Sequence, residues 1–123
     1  MTFKPAQPIF RSFDEAKASE FYIDYLGFQV DWEHRFEEDA PLYMQVSLGE
    51  VVLHLSEHHG DATPGSAIRI ECADIEEYHA KLMGKGYRFA NPGLLDQSWG
   101  CRELILTDPF GNRIVFFVDL PNE

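Results

Sequence analysis

Gln97-Ser98-Trp99-Gly100, then the run Cys101 to Thr107, then Asp108-Pro109-Phe110-Gly111-Asn112-Arg113: this stretch decides how the chain folds. The hexapeptide concentrates turn chemistry. Pro presets φ, Gly accepts positive φ, and Asp and Asn side chains bond the nearby backbone. An apolar run, Glu103 to Leu106, precedes it, and a second, Ile114 to Val118, follows it. The pattern predicts the last hairpin of a small β-rich module.

Reading outward, the module begins with a strand at Ser66 to Cys72. Asp74-Ile75-Glu76-Glu77 then offers an N-cap with Glu three residues on, and Ile75, Tyr78, His79, Leu82 and Met83 follow at helical spacing until Gly84 or Gly86. Strand-like material follows at Tyr87 to Phe89, Gly100 to Thr107 and Arg113 to Val118. The first half repeats this order. Ile9 to Phe13 reads as a strand, and Ser12 and Glu15 stand at capping-box spacing. Ala18, Phe21, Tyr22, Tyr25 and Leu26 form an amphipathic stripe ended by Gly27. Strands follow at Phe28 to Phe36, Leu42 to Leu48 and Val51 to Glu57, with Gly49-Glu50 as a hairpin turn. Asp14 and Asp74, and likewise Gly27 and Gly86, recur at a period near 60 residues, an internal duplication of βαβββ. One domain is expected over residues 1–123, built of repeats 7–57 and 66–118, with the turn-rich stretch 57–65 between them.

Period-two alternation divides the strands into faces. Leu42, Met44, Val46 and Leu48 oppose Tyr43, Gln45 and Ser47; Val51, Leu53 and Leu55 oppose Val52, His54 and Ser56. Ile68, Ile70 and Cys72 oppose Ala67, Arg69 and Glu71; Ile114, Phe116 and Val118 oppose Arg113, Val115 and Phe117. One face is apolar and suited to packing under a helix. The other is mixed, and if concave would line a ligand cavity. The fold class expected is α+β: two βαβββ modules forming curled mixed sheets around a cavity.

The bulk numbers exclude several partners. With 21 Asp and Glu against 10 Lys and Arg, the net charge of −11 disfavours nucleic acid and favours a cationic ligand. No run of 18 apolar residues suggests a membrane span, and Met1 to Pro8 lacks the apolar core of a signal peptide. Cys72 and Cys101 form no CxxC and read as buried free thiols of a cytoplasmic protein. Neither has a His at nucleophile-motif spacing, and no phosphate-cradling Gly loop occurs. His54-Leu55-Ser56-Glu57-His58-His59 is rich in metal-ligating types, but only His54, Ser56 and His58 share a strand face.

Phe21-Tyr22, Leu26-Gly27-Phe28, Gln97-x-Trp99-Gly100 and the Asp108-Pro-x-Gly-Asn112 turn together resemble the glyoxalase/bleomycin-resistance superfamily, the vicinal oxygen chelate proteins, over nearly the whole chain. In metal-dependent members of that superfamily, ligands come from the first, fourth, fifth and eighth strands. The resemblance places those positions at Gln7, His54, Ala67 and Val115, of which Ala and Val have no donor. It therefore implies the metal-free, bleomycin-resistance-like branch, with no cofactor and no catalytic residue. Members of that branch are homodimers that sequester a cationic glycopeptide antibiotic in aromatic-lined grooves. Trp99, Arg102-Glu103 and Asp31-Trp32 match that branch's pattern. The expected ligand-binding residues are Asp31, Trp32, Phe36, Tyr43, His54, Arg69, Trp99 and Glu103. Arg69 departs from the branch and favours a ligand carrying an anionic or polar group. The N-terminal segment through Phe10, with Pro5 and Pro8, suits an extended arm bracing a partner subunit. Two other readings stay open: a metal-free binder of another small molecule, and a glyoxalase-like lyase or dioxygenase with ligands displaced to His54, Glu57 and Glu103.

Overall fold

The repeat in sequence becomes a repeat in topology. The computed structural model describes residues 1–88 and 90–121. It divides into two compact units, Met1–Pro64 and Gly65–Glu123, so the division falls inside the turn-rich 57–65 stretch. In chain order the first unit holds β1 (Ile9–Arg11), a helix, β2 (Gln29–His34), β3 (Tyr43–Leu48) and β4 (Val51–Ser56). The second holds β5 (Ala67–Glu71), a helix, β6 (Leu94–Asp96), β7 (Cys101–Thr107) and β8 (Arg113–Asp119). Each unit has one mixed four-stranded sheet, ordered β1-β4-β3-β2 and β5-β8-β7-β6. The outer pairs β1–β4 and β5–β8 are parallel, and the remaining pairs antiparallel.

In the first unit the helix begins as α1 (Glu15–Ala18) and continues as π-helical turns over Ser19–Tyr25. The Leu26 N–H donates to the Phe21 carbonyl at 3.0 Å, the longer loop that defines the π form. The cap differs from the capping box expected at Ser12. Asp14 is the N-cap and accepts from the Lys17 N–H at 3.0 Å. Ser12 is instead buried, its N–H tied to the Ser56 carbonyl beside β4. Ala18, Phe21, Tyr22, Tyr25 and Leu26 are all buried, as their stripe requires, and Met44, Val46, Leu53 and Leu55 supply the sheet side of the core. Phe21 and Tyr22 meet edge to face at 5.0 Å, and Tyr22 meets Phe28 at 5.8 Å.

In the second unit α2 (Ile75–Gly84) buries Ile75 and Leu82. Tyr78 meets Phe116 of β8 at 4.9 Å. Met83, placed on the stripe by spacing, is exposed. Leu104, Leu106, Ile114 and Phe116 complete this core. The strand expected at Tyr87 to Phe89 is not one: Tyr87 and Arg88 lie outside any strand, and Phe89 lies outside the described residues. The place beside β7 at the sheet edge is filled by β6, a three-residue strand paired with β7 through Leu94 and Leu104. Cys101 is buried, Cys72 is only half-buried, and both thiols are free. Among the described residues no helix is long and apolar enough to cross a membrane. Phe10 packs within its own chain, since β1 pairs with β4; residues 1–7 ahead of it are exposed.

Candidate functional site

The first unit gathers its polar and aromatic groups on one face because of a bulge. Between Val30 and Trp32 the β2–β3 register shifts, leaving Asp31 as the extra residue. Strict alternation would send Asp31 and Trp32 to opposite faces. The bulge instead lets both reach side chains of the Tyr43-Gln45-Ser47 face. Trp32 stacks on Tyr43, with ring centroids 5.9 Å apart and planes 12° apart, and meets His54 edge-on at 5.4 Å. Asp31 accepts from Gln45 Nε2 at 2.9 Å, from Ser47 Oγ at 2.9 Å and from Gln29 Nε2 at 3.3 Å. The Gln45 bond first, then that of Ser47, holds the Asp31 carboxyl below the usual range, so it is a fixed negative charge.

The same network sets the His54 tautomer. Gln45 spends its amide nitrogen on Asp31, so its oxygen faces His54 Nε2 at 3.0 Å and accepts from it. The proton therefore sits on Nε2, and Nδ1 accepts the Tyr43 hydroxyl at 2.6 Å. Both ring nitrogens are occupied in the neutral form. Burial pushes the His54 pKa below its ordinary value of 6.5 and pushes Tyr43 upward, with Asp61 adding to the latter. The sign follows from proton counting. Below pH 6.5 the unfolded chain binds more protons at this position than the folded chain does. The contribution of His54 to stability is thus complete above that pH and declines as pH falls. In a thermal melt series from pH 7.5 to 5, the wild-type protein is expected to lose more stability than His54→Gln. A parallel decline in both proteins would contradict this assignment.

Phe36 extends the patch. Its exposed ring meets His34 at 4.8 Å and His58 at 6.1 Å, and His58 in turn lies 6.4 Å from Tyr43. Asp31, Trp32, Phe36, Tyr43 and His54 are therefore brought together in the first unit. Gln29, Gln45 and Ser47, which hold Asp31, were not singled out from sequence. Their shared parity on β3, and the position of Gln29 opposite Ser47, were the available signals.

The second unit joins Arg69 to Glu103. Arg69 Nη1 donates to Glu103 Oε2 at 2.7 Å, while Gln97 Nε2 donates to Oε1 at 3.1 Å. The Arg69 guanidinium lies 4.4 Å from the centre of the Phe117 ring, and Nη2 approaches Cys101 Sγ at 3.9 Å. Cys101 Sγ donates to Asp119 at 3.3 Å, and that carboxylate pushes the thiol pKa up. Glu103 is among the expected ligand-binding residues. Its side chain is 4% exposed and both oxygens are engaged, so it orients and neutralises Arg69 instead. Trp99 stands apart at the β6–β7 turn, 65% exposed. The turn is firmly closed: Gln97 N–H donates to Cys101 at 2.7 Å, Gly100 N–H to Gln97 at 3.1 Å and Leu120 N–H to Gly100 at 2.8 Å. Gly100 has φ +96°, a conformation few other residues adopt.

The four positions that the metal-dependent pattern would use do not fit a metal. His54 is saturated, Ala67 and Val115 have no donor, and Gln7 is exposed ahead of β1. Of the displaced set, Glu57 accepts the Leu42 N–H, and Glu103 accepts from Arg69 and Gln97. Among the described residues no group of three or more His, Cys, Asp or Glu is placed to hold a metal ion.

A family model described as glyoxalase superfamily protein matches residues 1–122. Among solved structures, a glyoxalase family protein from Enterococcus faecalis is similar at 21% identity and TM-score 0.72, over 96% of this chain and 100% of that one. A bleomycin-binding protein complexed with bleomycin is similar at 22% identity and TM-score 0.70, over 98% and 100%. A glyoxalase-related enzyme from Clostridium phytofermentans is similar at 18% identity and TM-score 0.73, over 98% of each chain. No curated protein matches significantly.

Proposed function

Since the chain belongs to the glyoxalase/bleomycin-resistance superfamily, we propose that it is a metal-independent binding protein that sequesters a cationic, planar small molecule of the bleomycin type. One observation carries the reading: the stacked Trp32–Tyr43 pair stands beside the fixed charge of Asp31 on an open sheet face. Aromatic faces and a carboxylate together favour a planar cation, through stacking, cation–π attraction and Coulomb attraction. The position of His54 in hydrogen bonds rather than on a free coordination vector supports binding over metal chemistry. The bleomycin-bound neighbour shares this fold, which supports the choice of probe. The proposal extends to a homodimer in the cytoplasm, with exposed Met1 and Phe3 available to a partner subunit.

Trp99 enters the proposal as a second stacking surface. Its hairpin is closed by backbone bonds that do not involve its ring, so Trp99→Ala is expected to leave the circular dichroism spectrum unchanged. Drug affinity is expected to fall about tenfold, the scale of one aromatic contact with a cation. Unchanged affinity in the folded variant would remove Trp99 from the site. The function itself is tested by titrating bleomycin while following tryptophan emission, with metal content measured on the same preparation. Saturable quenching in protein without bound metal is the expected result. No quenching, together with stoichiometric zinc, nickel or iron, would replace this reading with a lyase or dioxygenase.

A further inference from the structure

We propose that the Arg69 guanidinium of the second unit is a receptor for a carboxylate carried on a planar ring, a subsite opposite in sign to the Asp31–Trp32 face. The inference rests on the reading of these sheet faces as ligand-binding surfaces. Four observations carry it. Arg69 is half-exposed, with 47% of its side chain open to solvent, whereas its partner Glu103 is 4% exposed. Glu103 is buried and bonded at both oxygens, Oε2 by Arg69 and Oε1 by Gln97, so it serves as a fixed anchor for the guanidinium. The guanidinium carbon lies 4.4 Å from the centre of the Phe117 ring, which packs against one side of the group. Of its five N–H donors, one is committed to Glu103 and one faces only a sulfur at 3.9 Å.

A buried carboxylate that fixes a guanidinium while leaving donors outward pre-organises a fork suited to a second carboxylate. The acidic surroundings then select among anions. Asp119 lies nearby on Cys101, and the chain carries −11 overall, so a small inorganic anion gains too little. An aromatic carboxylate adds stacking on the guanidinium and is favoured.

The test uses the full chain, with 2-naphthoate, naphthylmethylammonium and inorganic phosphate as probes followed by ¹⁵N–¹H NMR. Arg69→Gln alone would strand the buried Glu103, so the variant is the double substitution Arg69→Gln with Glu103→Gln. Expected is a saturable naphthoate shift at the Arg69 Nε–H and at the amides of Cys101 and Phe117. Phosphate should give none, and naphthoate affinity should fall at least about tenfold in the double variant. Naphthoate shifts that bypass Arg69, or affinity retained in the folded double variant, would overturn the proposal. The ammonium probe reports on the other reading. If it fails to shift Trp32 and Tyr43 while naphthoate still shifts Arg69, the cation-binding function falls and the carboxylate subsite stands.

Discussion

Asp108→Ala is expected to destabilise the second unit by about 4 kcal/mol, among the largest losses available from one exchange of a polar residue. The carboxylate holds the turn together from inside. Oδ1 accepts the N–H groups of Phe110 and Asn112, both at 2.8 Å, and Oδ2 accepts Asn112 Nδ2 at 3.0 Å. Asp108 is 4% exposed and Asn112 fully buried, so water does not replace these bonds without opening the turn. Three bonds to an ionised acceptor, each contributing roughly 1.5–3 kcal/mol and partly overlapping, give that scale. Asp108→Asn keeps one oxygen for the two backbone donors and should cost roughly half as much. Urea unfolding followed by circular dichroism measures both. A loss under about 1 kcal/mol for Asp108→Ala would show that Pro109 and Gly111 suffice to close the hairpin.

Trp32→Ala is expected to weaken binding of a planar cation by about 10- to 100-fold while costing little stability. The ring is 42% exposed on edge strand β2, whose residues are all exposed, so few core contacts are lost. The binding loss has two sources. The ligand loses the larger plane of the stack, and Tyr43 and His54 lose the ring that covers them. Trp32→Phe should recover part of the affinity, since it restores a π face of smaller area. Unchanged affinity for Trp32→Ala in folded protein would move the site off this sheet.

How much of this was legible in the sequence depends on the length scale of the signal. The duplication, the two hairpins and the buried faces were readable, because turn residues and period-two alternation are local and were reinforced by repetition at Gly49 and Gly111. The bulge at Asp31 was not. Alternation alone groups Trp32 with Phe28 and Val30, and only pairing with β3 reveals the extra residue. The second strand of the second repeat was misplaced to Tyr87–Phe89. Leu94–Asp96 becomes a strand only through tertiary pairing with β7. The cap fell on Asp14 rather than Ser12 because Ser12 was drawn into the backbone ladder beside β4. In the candidate site, residue types were visible but partnerships were not. Glu103 reads as a free charge until Arg69 and Gln97, far from one another in sequence, are seen to share it.

The Asp31–Trp32 face is expected to bind a planar cation without metal. The most direct test is a calorimetric titration of chelator-treated protein with metal-free bleomycin, run in parallel on Trp32→Ala. The expected result is a saturable isotherm for the wild-type chain and at least about tenfold weaker binding for the variant. No heat at saturating drug, or binding that appears only after zinc, nickel or iron is restored, would contradict it.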